Sequence, residues 1–185
     1  MELTGPHATA IIEDAEIVRS ARGTQRLDNI DLEILRLMQE DATGSSGDIA
    51  ARIGMSQSPA WRRIASLERA GVIRKRVAVI DRSAVGLQFM AFVFVRLKDQ
   101  AQATVDGFQQ DVRSLPEVVQ CHVLMGDIDY VLIVVTKDID AFRVLLREKL
   151  SRFPGVSGLD SRAVLEEVKN TTELPLGLLL DADAV

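Results

Sequence analysis

Residues 49–73 read IAARIGMSQSPAWRRIASLERAGVI and contain two short amphipathic segments separated by a tight turn. Gly54 ends the first segment, and Ser56 can cap the second. Pro59 stands in the first turn of the second segment, where its fixed φ and its missing N–H are tolerated. Gly71 ends that segment. The stretch therefore predicts two consecutive helices joined by a short turn.

A further helix is predicted upstream, from Asp28 or Asn29, either of which can cap it. Its apolar residues fall on one face at helical spacing: Ile30, Ile34, Leu35, Leu37 and Met38. The stretch DATGSSGD (41–48) breaks this helix, and Ser45 or Ser46 can cap the next one. Three short helices with a tight turn between the last two are typical of a helix-turn-helix.

The next stretch, VIRKRVAVID (72–81), alternates apolar and polar residues as a small strand pair, or wing, would. Residues 27–82 are therefore predicted to form a winged helix-turn-helix domain, and residues 83–87 a linker. Residues 1–26 show no clean period, so we expect a poorly ordered leader with at most a short helix near Ile11–Val18.

The remaining chain alternates strand-like and helical patterns. Strands are predicted for 89–97, 118–126, 129–136 and 163–168, and helices for about 103–115 and 139–153. The order βαββαβ predicts a ferredoxin-like sandwich over residues 88–176, with helices on one face of an antiparallel sheet. Residues 177–185 are expected to form a tail. The fold class is α+β.

The charge distribution favours a nucleic-acid partner for the N-terminal domain. The chain of 185 residues has a formal net charge of -5, but residues 61–82 hold seven Lys or Arg against two acids. That local net charge of +5 suits the phosphates of double-stranded DNA, since an acidic protein can bind DNA through one basic stretch.

Several classes of protein are disfavoured by composition. No apolar run approaches the roughly 18 to 20 residues that span a bilayer, and the first residues do not resemble a secretory signal. One cysteine and two histidines argue against a disulfide within the chain and against a metal centre built on those residues. We expect a cytoplasmic protein without cofactor, metal or catalytic residues.

The second helix of a helix-turn-helix lies in the major groove, with its first side chains near base edges. The candidate DNA contacts on that helix and on the wing are Gln57, Ser58, Pro59, Trp61, Arg62, Arg63, Arg74, Lys75 and Arg76. Glutamine can pair with adenine, and arginine can reach guanine or phosphate. The alternative is that the cations are only a solvated surface. For Trp61 a core or staple contact beneath the turn is favoured over a base contact.

A second candidate site is GDIDY (126–130), between two predicted strands. Gly126 can adopt a positive φ, and the turn offers carboxylates together with exposed backbone N–H groups. An amino-acid ligand needs both, one for its ammonium and the other for its carboxylate. A plain hairpin turn explains the same residues and is favoured from the motif alone. General acid–base chemistry is a weak interpretation, because no nucleophile or histidine lies nearby in sequence.

Taken in order, several segments of the chain resemble the leucine-responsive/asparagine-operon regulator (Lrp/AsnC) family of prokaryotic transcription factors. They are residues 27–42, 49–73, LPEVVQCHVLMGDIDYVLIVVTKDIDAF (115–142), LSRFPGV (150–156) and VKNTTELPL (168–176). The resemblance implies an N-terminal winged helix-turn-helix and a C-terminal ligand-sensing domain. It also implies homodimers built through sheet contacts, which assemble into tetramers or octamers.

The resemblance places the effector, an amino acid or related small molecule, near Gly126, Asp127, Asp129 and Tyr130, at or near the interface between dimers. It also includes Asp160 and Ser161, where the family often has Thr or Ser, so that Asp160 would alter effector preference. The chain departs from the family at Arg76, where an aromatic residue is common, and near Thr43, where an Arg is common.

The sequence therefore predicts a sequence-specific DNA-binding transcriptional regulator that responds to an amino acid or related metabolite through its oligomeric state. The alternative is an amino-acid-binding metabolic or regulatory subunit that binds no operator.

Overall fold

A computed structural model of the chain describes residues 27–180. Contacts divide these residues into two units. The head unit consists of the described residues up to Ala78 and those from Lys169 onward, and the sheet unit is Val79–Val168. The predicted leader, its short helix near Ile11–Val18 and the last five residues lie outside the described range. The domain boundaries drawn from the sequence stay predictions.

The head unit begins with the three predicted helices: α1 (Asn29–Glu40), α2 (Ser46–Arg52) and α3 (Gln57–Arg69). Asp28 and Ser45 cap α1 and α2 through capping boxes, in which Asp31 and Asp48 return a side-chain hydrogen bond to the cap. Ser56 holds the N-cap position of α3 without a side-chain cap bond. Gly54, in the turn between α2 and α3, has φ 68°, a conformation that a side chain would strain.

The head unit is held together by apolar side chains from all three helices. Ile34, Leu37, Ile49, Ile64 and Leu67 are buried, and Met38 completes the cluster. Because each helix contributes residues at 3–4 spacing, the core fixes which face of α3 remains exposed.

The strand pair predicted for residues 72–81 is absent, since the structure assigns no strand anywhere in residues 70–88. Val77, Val79 and Ile80 carry the alternating pattern, yet all three are exposed. Period-two alternation produces a strand only where one face is buried against something, and an isolated two-stranded ribbon is marginal in water. The basic segment 74–76 therefore follows α3 as irregular chain.

The sheet unit contains β1 (Phe89–Leu97), α4 (Gln102–Arg113), β2 (Val118–Val123), β3 (Tyr130–Thr136), α5 (Ile139–Glu148), a 3-10 turn (Leu150–Arg152) and β4 (Val156–Ala163). The strands form an antiparallel sheet in the order β2-β3-β1-β4. The predicted α+β class and the βαββαβ order are confirmed.

The last strand lies earlier than predicted, at Val156–Ala163 instead of residues 163–168. Val95 of β1 pairs with Leu159, and Ala91 pairs with Ala163, where the strand ends. The sequence VSGLDSRA lacks the apolar alternation of a strand, because β4 lies at an edge and needs little burial. Leu165 and Val168, which suggested a strand by hydropathy, are exposed.

One face of the sheet carries the core of this unit. Val93, Val95, Leu132 and Val134 are completely buried, and Phe108 of α4 is buried against the same core. Alternate residues of β3 are buried and partly exposed in turn, as period-two geometry requires.

The described C-terminal residues return to the head unit. The side chain of Gln39 on α1 donates from Nε2 to the carbonyl oxygen of Leu174 at 3.2 Å. Its Oε1 accepts from the Leu174 backbone N–H at 2.7 Å. A short helix, α6 (Gly177–Leu180), follows. No helix in residues 27–180 has the length and apolar character needed to cross a membrane.

Candidate nucleic-acid interface and effector loop

The first two turns of α3 present a polar face opposite the head core. Ala60, Ile64 and Leu67 point into the core. Gln57, Ser58, Trp61 and Arg62 instead line an open cleft of about 360 Å³ together with Ser46 of α2. Pro59, in the first turn, is partly buried. Four of the predicted DNA contacts therefore share one exposed surface, because helical spacing groups residues 57, 58, 61 and 62.

Arg62 and Arg63 are adjacent in sequence but differ in their ion pairs and in their exposure. Arg63 Nη1 lies 2.8 Å from Asp28 Oδ2 and 2.8 Å from Asp31 Oδ1, so it ties α3 to the start of α1. The Asp31 side chain is only 9% exposed, so the Arg63 guanidinium takes the place of water beside its carboxylate. Arg62 is exposed and forms no ion pair with any residue between 27 and 180.

The electrostatics of this contact follow from its hydrogen bonds. The backbone N–H of Asp31, helped by the Arg63 guanidinium, lowers the pKa of the Asp28 carboxyl below its usual value. The side-chain hydrogen bonds that Arg63 donates to Asp31 and to Asp28 raise the pKa of Arg63, and the bond to Asp31 has the larger effect. The ionised form of Asp28 is thus the form that the folded head stabilises.

The head unit is expected to lose stability as the pH falls from 5 towards 3. A carboxyl whose folded pKa is depressed contributes stability above its unfolded pKa of about 3.9, and that contribution is lost as the pH falls through the lower folded value. Urea unfolding followed by the fluorescence of Trp61 at several pH values measures this. Asp28→Asn keeps a capping oxygen but cannot ionise, so its stability should fall less. An equal fall in both proteins would contradict the role of Asp28.

Trp61 is 60% exposed, so the favoured interpretation as a core contact was wrong. The reason is the phase of the helix: positions 60, 64 and 67 take the core, and position 61 lies on the flank. The position near the start of the helix, two residues after Pro59, suggested a contact beneath the turn, but it is Ala60 that is buried there.

The basic segment after α3 is only partly available. Arg76 Nη2 forms an ion pair with Glu68 of α3 at 2.9 Å. Arg74 and Lys75 make no ion pair within the described part of the chain and are exposed or partly so. Two cations shortly after α3 therefore have no ion-pair partner among residues 27–180.

In the sheet unit, the loop GDIDY is fixed to β1 and to the residues after it by hydrogen bonds of Asp129. Asp129 Oδ2 accepts from the Leu97 backbone N–H at 2.6 Å, and its Oδ1 accepts from Gln100 Nε2 at 2.6 Å. The backbone N–H of Asp129 donates to the carbonyl oxygen of Val95 at 3.0 Å. Gly126 has φ 124°, which favours glycine at this turn. Asp129 is therefore occupied in holding the loop.

Asp127 is placed differently. Its carbonyl oxygen accepts from Arg96 Nε at 3.1 Å, while its carboxylate is exposed and bonds no described residue. The backbone N–H groups of residues 126–128 also make no hydrogen bond within the described chain. This turn thus offers one carboxylate and several N–H donors at the same place.

Tyr130 is the last residue of the loop and the first residue of β3, and its side chain belongs to the core. It is 3% exposed, its ring centroid lies 4.6 Å from that of Phe108, and its hydroxyl accepts from Gln109 Nε2 at 3.1 Å. Its place is at the base of the loop, where it anchors the start of β3.

Asp160 and Ser161 lie near the middle of the edge strand β4, in register with Phe94 and Val93, and point to opposite faces of the sheet. Val95 pairs with Tyr130 on one side and with Leu159 on the other, which places β1 between the loop and Asp160. Asp160 forms an ion pair with Arg162 at 3.0 Å. Ser161 pairs in register with buried Val93, so it faces the helices.

Two sets of side-chain contacts were not predicted from the sequence. Arg96 and Gln100 hold the loop, and Asp28 and Asp31 hold Arg63. All of these partners lie about thirty residues from the group they bond, and no local pattern marks a contact at that separation. Within residues 27–180 no group of three or more His, Cys, Asp or Glu is arranged to hold a metal ion.

Two family profiles match the chain. Residues 27–74 match a winged helix-turn-helix DNA-binding domain. Residues 90–174 match the Lrp/AsnC ligand binding domain. The match to the head includes α3 and its exposed face, and the match to the sheet unit includes the loop at 126–130.

Curated relatives match over most of their own length. The chain is 33% identical over 150 residues to the transcriptional regulator AzlB of Bacillus subtilis, covering 81% of this chain and 96% of that one. It is 38% identical over 154 residues to the glutamate uptake regulatory protein of Zymomonas mobilis (82% and 92%). It is 35% identical over 148 residues to the leucine-responsive regulatory protein of Escherichia coli (80% and 90%).

Solved structures agree with these matches. A transcriptional regulator from Neisseria meningitidis, solved as a complex with L-Met, is similar with a TM-score of 0.79 and 35% identity, over 83% of this chain and 99% of that one. Escherichia coli AsnC is similar with a TM-score of 0.74 over 80% and 99%, but at 21% identity that likeness concerns the fold alone.

Proposed function

The chain belongs to the Lrp/AsnC family of transcriptional regulators, and from this premise we propose that α3 reads an operator while the turn at 126–128 binds an amino-acid effector. It is a DNA-binding regulator that responds to amino acids. The observation that carries the proposal for DNA is the exposed face of α3, where Gln57, Ser58 and Arg62 line one cleft.

The chemistry of that face suits the major groove. The Gln57 amide can both donate to and accept from adenine, and the Ser58 hydroxyl can bond either kind of base. Arg62, which has no ion-pair partner in the described chain, reaches guanine or phosphate one turn later. Arg74 and Lys75 contact the flanking backbone. Arg76 joins them only if DNA displaces Glu68.

The protein acts as a homodimer that assembles further, to tetramers or octamers, in the cytoplasm where prokaryotic DNA lies. Two recognition helices in a dimer address half-sites about one helical turn apart, so the operator is a pseudo-palindrome. Its role is regulatory and not catalytic, as the names of its relatives support.

The effector is an amino acid, held through its two charged groups. The Asp127 carboxylate pairs with the ammonium, and the N–H groups of residues 126–128 bind the carboxylate. Asp129 and Tyr130 hold the loop in shape, and Asp160, on the edge strand β4, adjusts the effector preference. The L-Met complex of the Neisseria regulator supports the class of effector. The effector shifts the assembly equilibrium because it binds one state more tightly than another.

The test begins with selection of DNA. Full-length protein is used to enrich duplexes of about 30 base pairs, long enough for two half-sites one turn apart, from a random library. Fluorescence anisotropy then compares enriched with scrambled duplexes, with and without a panel of amino acids. Selective binding that one amino acid changes is the expected result. Equal, weak binding to both duplexes together with amino-acid binding would favour the alternative, a metabolic subunit without an operator.

DNA affinity is expected to fall steeply with salt, because the bound cations release counterions from the phosphates. Replacing both Arg74 and Lys75 with alanine should reduce the slope of log K against log salt by about two, since two phosphates are then no longer neutralised. The matched control is Lys137→Ala with Arg143→Ala, which removes the same charge from exposed positions of the sheet unit. Equal slopes for both double variants would contradict contacts by residues 74 and 75.

A further inference from the structure

Trp61 is the unusual member of the exposed face of α3. Its neighbours there, Gln57, Ser58 and Arg62, are polar, whereas Trp61 is a large aromatic side chain with 60% of its surface exposed. It also borders a second cleft of about 220 Å³, shared with Glu68 and Arg76. The indole therefore stands between two clefts on the surface that is proposed to meet DNA.

The packing of the head does not require an indole at this position. Ala60, Ile64 and Leu67 supply the contribution of α3 to the core, and burial is what normally accounts for a large apolar side chain. Tryptophan is enriched at surfaces that proteins bury against a partner, because its ring is apolar while its N–H can find an acceptor. On this face, the partner is the major groove.

An indole can make only a few kinds of contact with the edge of a base pair. The ring has one N–H donor and otherwise only apolar surface. In the major groove the apolar group is the C5-methyl of thymine, and apolar side chains distinguish thymine through contact with it. Gln57 lies one turn before Trp61 on the same flank, and Arg62 follows it directly, so their hydrogen bonds to bases would bring the indole to base level.

We propose that Trp61 contacts the C5-methyl group of thymine in each half-site and thereby sets a preference for thymine at that position. The inference rests on the proposed function, since it requires α3 to lie in the major groove. It adds a chemical specificity that the hydrogen-bonding side chains do not supply.

The test removes the methyl group from the DNA instead of from the protein. In an enriched duplex, each thymine is replaced in turn by deoxyuridine, which keeps every hydrogen-bonding group of the base. At one thymine per half-site, wild-type affinity should fall about fourfold, the value of one buried methyl group. Trp61→Ala should bind more weakly and show no dependence on that methyl, whereas Trp61→Phe should keep it.

Two controls distinguish a lost contact with the thymine methyl group from a general loss of DNA binding. Val144→Ala alters an exposed apolar residue of α5 and should leave the deoxyuridine profile unchanged. Circular dichroism checks that the variants fold. Because the chain has a single tryptophan, its emission should shift to shorter wavelength on the thymine duplex and less on the deoxyuridine duplex.

The outcomes are distinguishable. If selection enriches no duplex, the proposed function fails and the inference with it. If duplexes are enriched but deoxyuridine has no effect at any position, or the same effect on wild type and Trp61→Ala, the inference alone is overturned. The same holds if Trp61→Ala weakens binding while wild type is insensitive to the methyl group, because the indole then contacts sugar or phosphate.

Discussion

Replacing Phe108 with alanine is expected to lower the free energy of unfolding of the sheet unit by about 3–5 kcal/mol. Phe108 is completely buried on α4. Its ring centroid lies 4.6 Å from that of Tyr130 and 6.3 Å from that of Phe153. The variant buries less apolar surface on folding, so it loses part of the transfer free energy. It also leaves a cavity that the neighbouring rings and the sheet cannot fill, and this cavity lowers the free energy of unfolding further.

The same variant should weaken effector binding, because Tyr130 anchors the loop at 126–130 and Phe108 is its packing partner. Urea unfolding followed by far-ultraviolet circular dichroism measures the stability, and calorimetry with the amino acid found in the panel measures the binding. Val144→Ala, at a half-exposed position of α5, is the control and should cost less than about 0.5 kcal/mol. A decrease below about 1 kcal/mol for Phe108→Ala would mean that the site collapses around the missing ring.

Arg62→Ala is expected to lower DNA affinity, whereas Arg63→Ala is expected to lower the stability of the head unit. Arg62→Ala should weaken binding to the enriched duplex by about 1–3 kcal/mol, roughly 5- to 150-fold, with the stability of the head unchanged. Arg63→Ala should destabilise the head by about 1–3 kcal/mol, because it leaves the buried Asp31 carboxylate without its partner. Its DNA affinity, measured where the head is fully folded, should change less than that of Arg62→Ala.

Each variant is the matched control for the other, since they are neighbouring residues of one type on one helix. Trp61 fluorescence in urea reports the stability of the head, and anisotropy reports affinity for DNA. If Arg63→Ala leaves stability intact and removes DNA binding, the contacts with Asp28 and Asp31 give way to phosphate in the complex. If Arg62→Ala leaves affinity unchanged, α3 does not dock through this face.

The fold was predictable wherever its signals are local. Capping residues, the glycine at position 54 and the 3.6-residue period of apolar positions predict α1, α2 and α3. The short apolar runs of β1 and β3, rich in β-branched and aromatic residues, predict the centre of the sheet. β4 was misplaced because an edge strand needs little apolar alternation, and the pattern in residues 72–81 was misleading because nothing buries one of its faces.

The candidate sites were predictable as positions and not as roles. The motifs identify Gln57, Arg62 and the loop at 126–130 from residue type and spacing. They also make Arg62 equivalent to Arg63, and Asp127 equivalent to Asp129, because each pair has the same chemistry within two residues. The structure separates each pair by partners that are about thirty residues away along the chain.

By itself, the sequence determined the α+β class, the three helices of the helix-turn-helix and the position of the turn at Gly126, because helix caps, periodicity and turn glycines act over a few residues. Only the tertiary structure decided that Arg63 and Asp129 hold the protein together while Arg62 and Asp127 face outward, and that Trp61 is exposed. Those roles depend on which side chains meet across elements, and a hydrogen bond or a buried face exists only once the chain has folded.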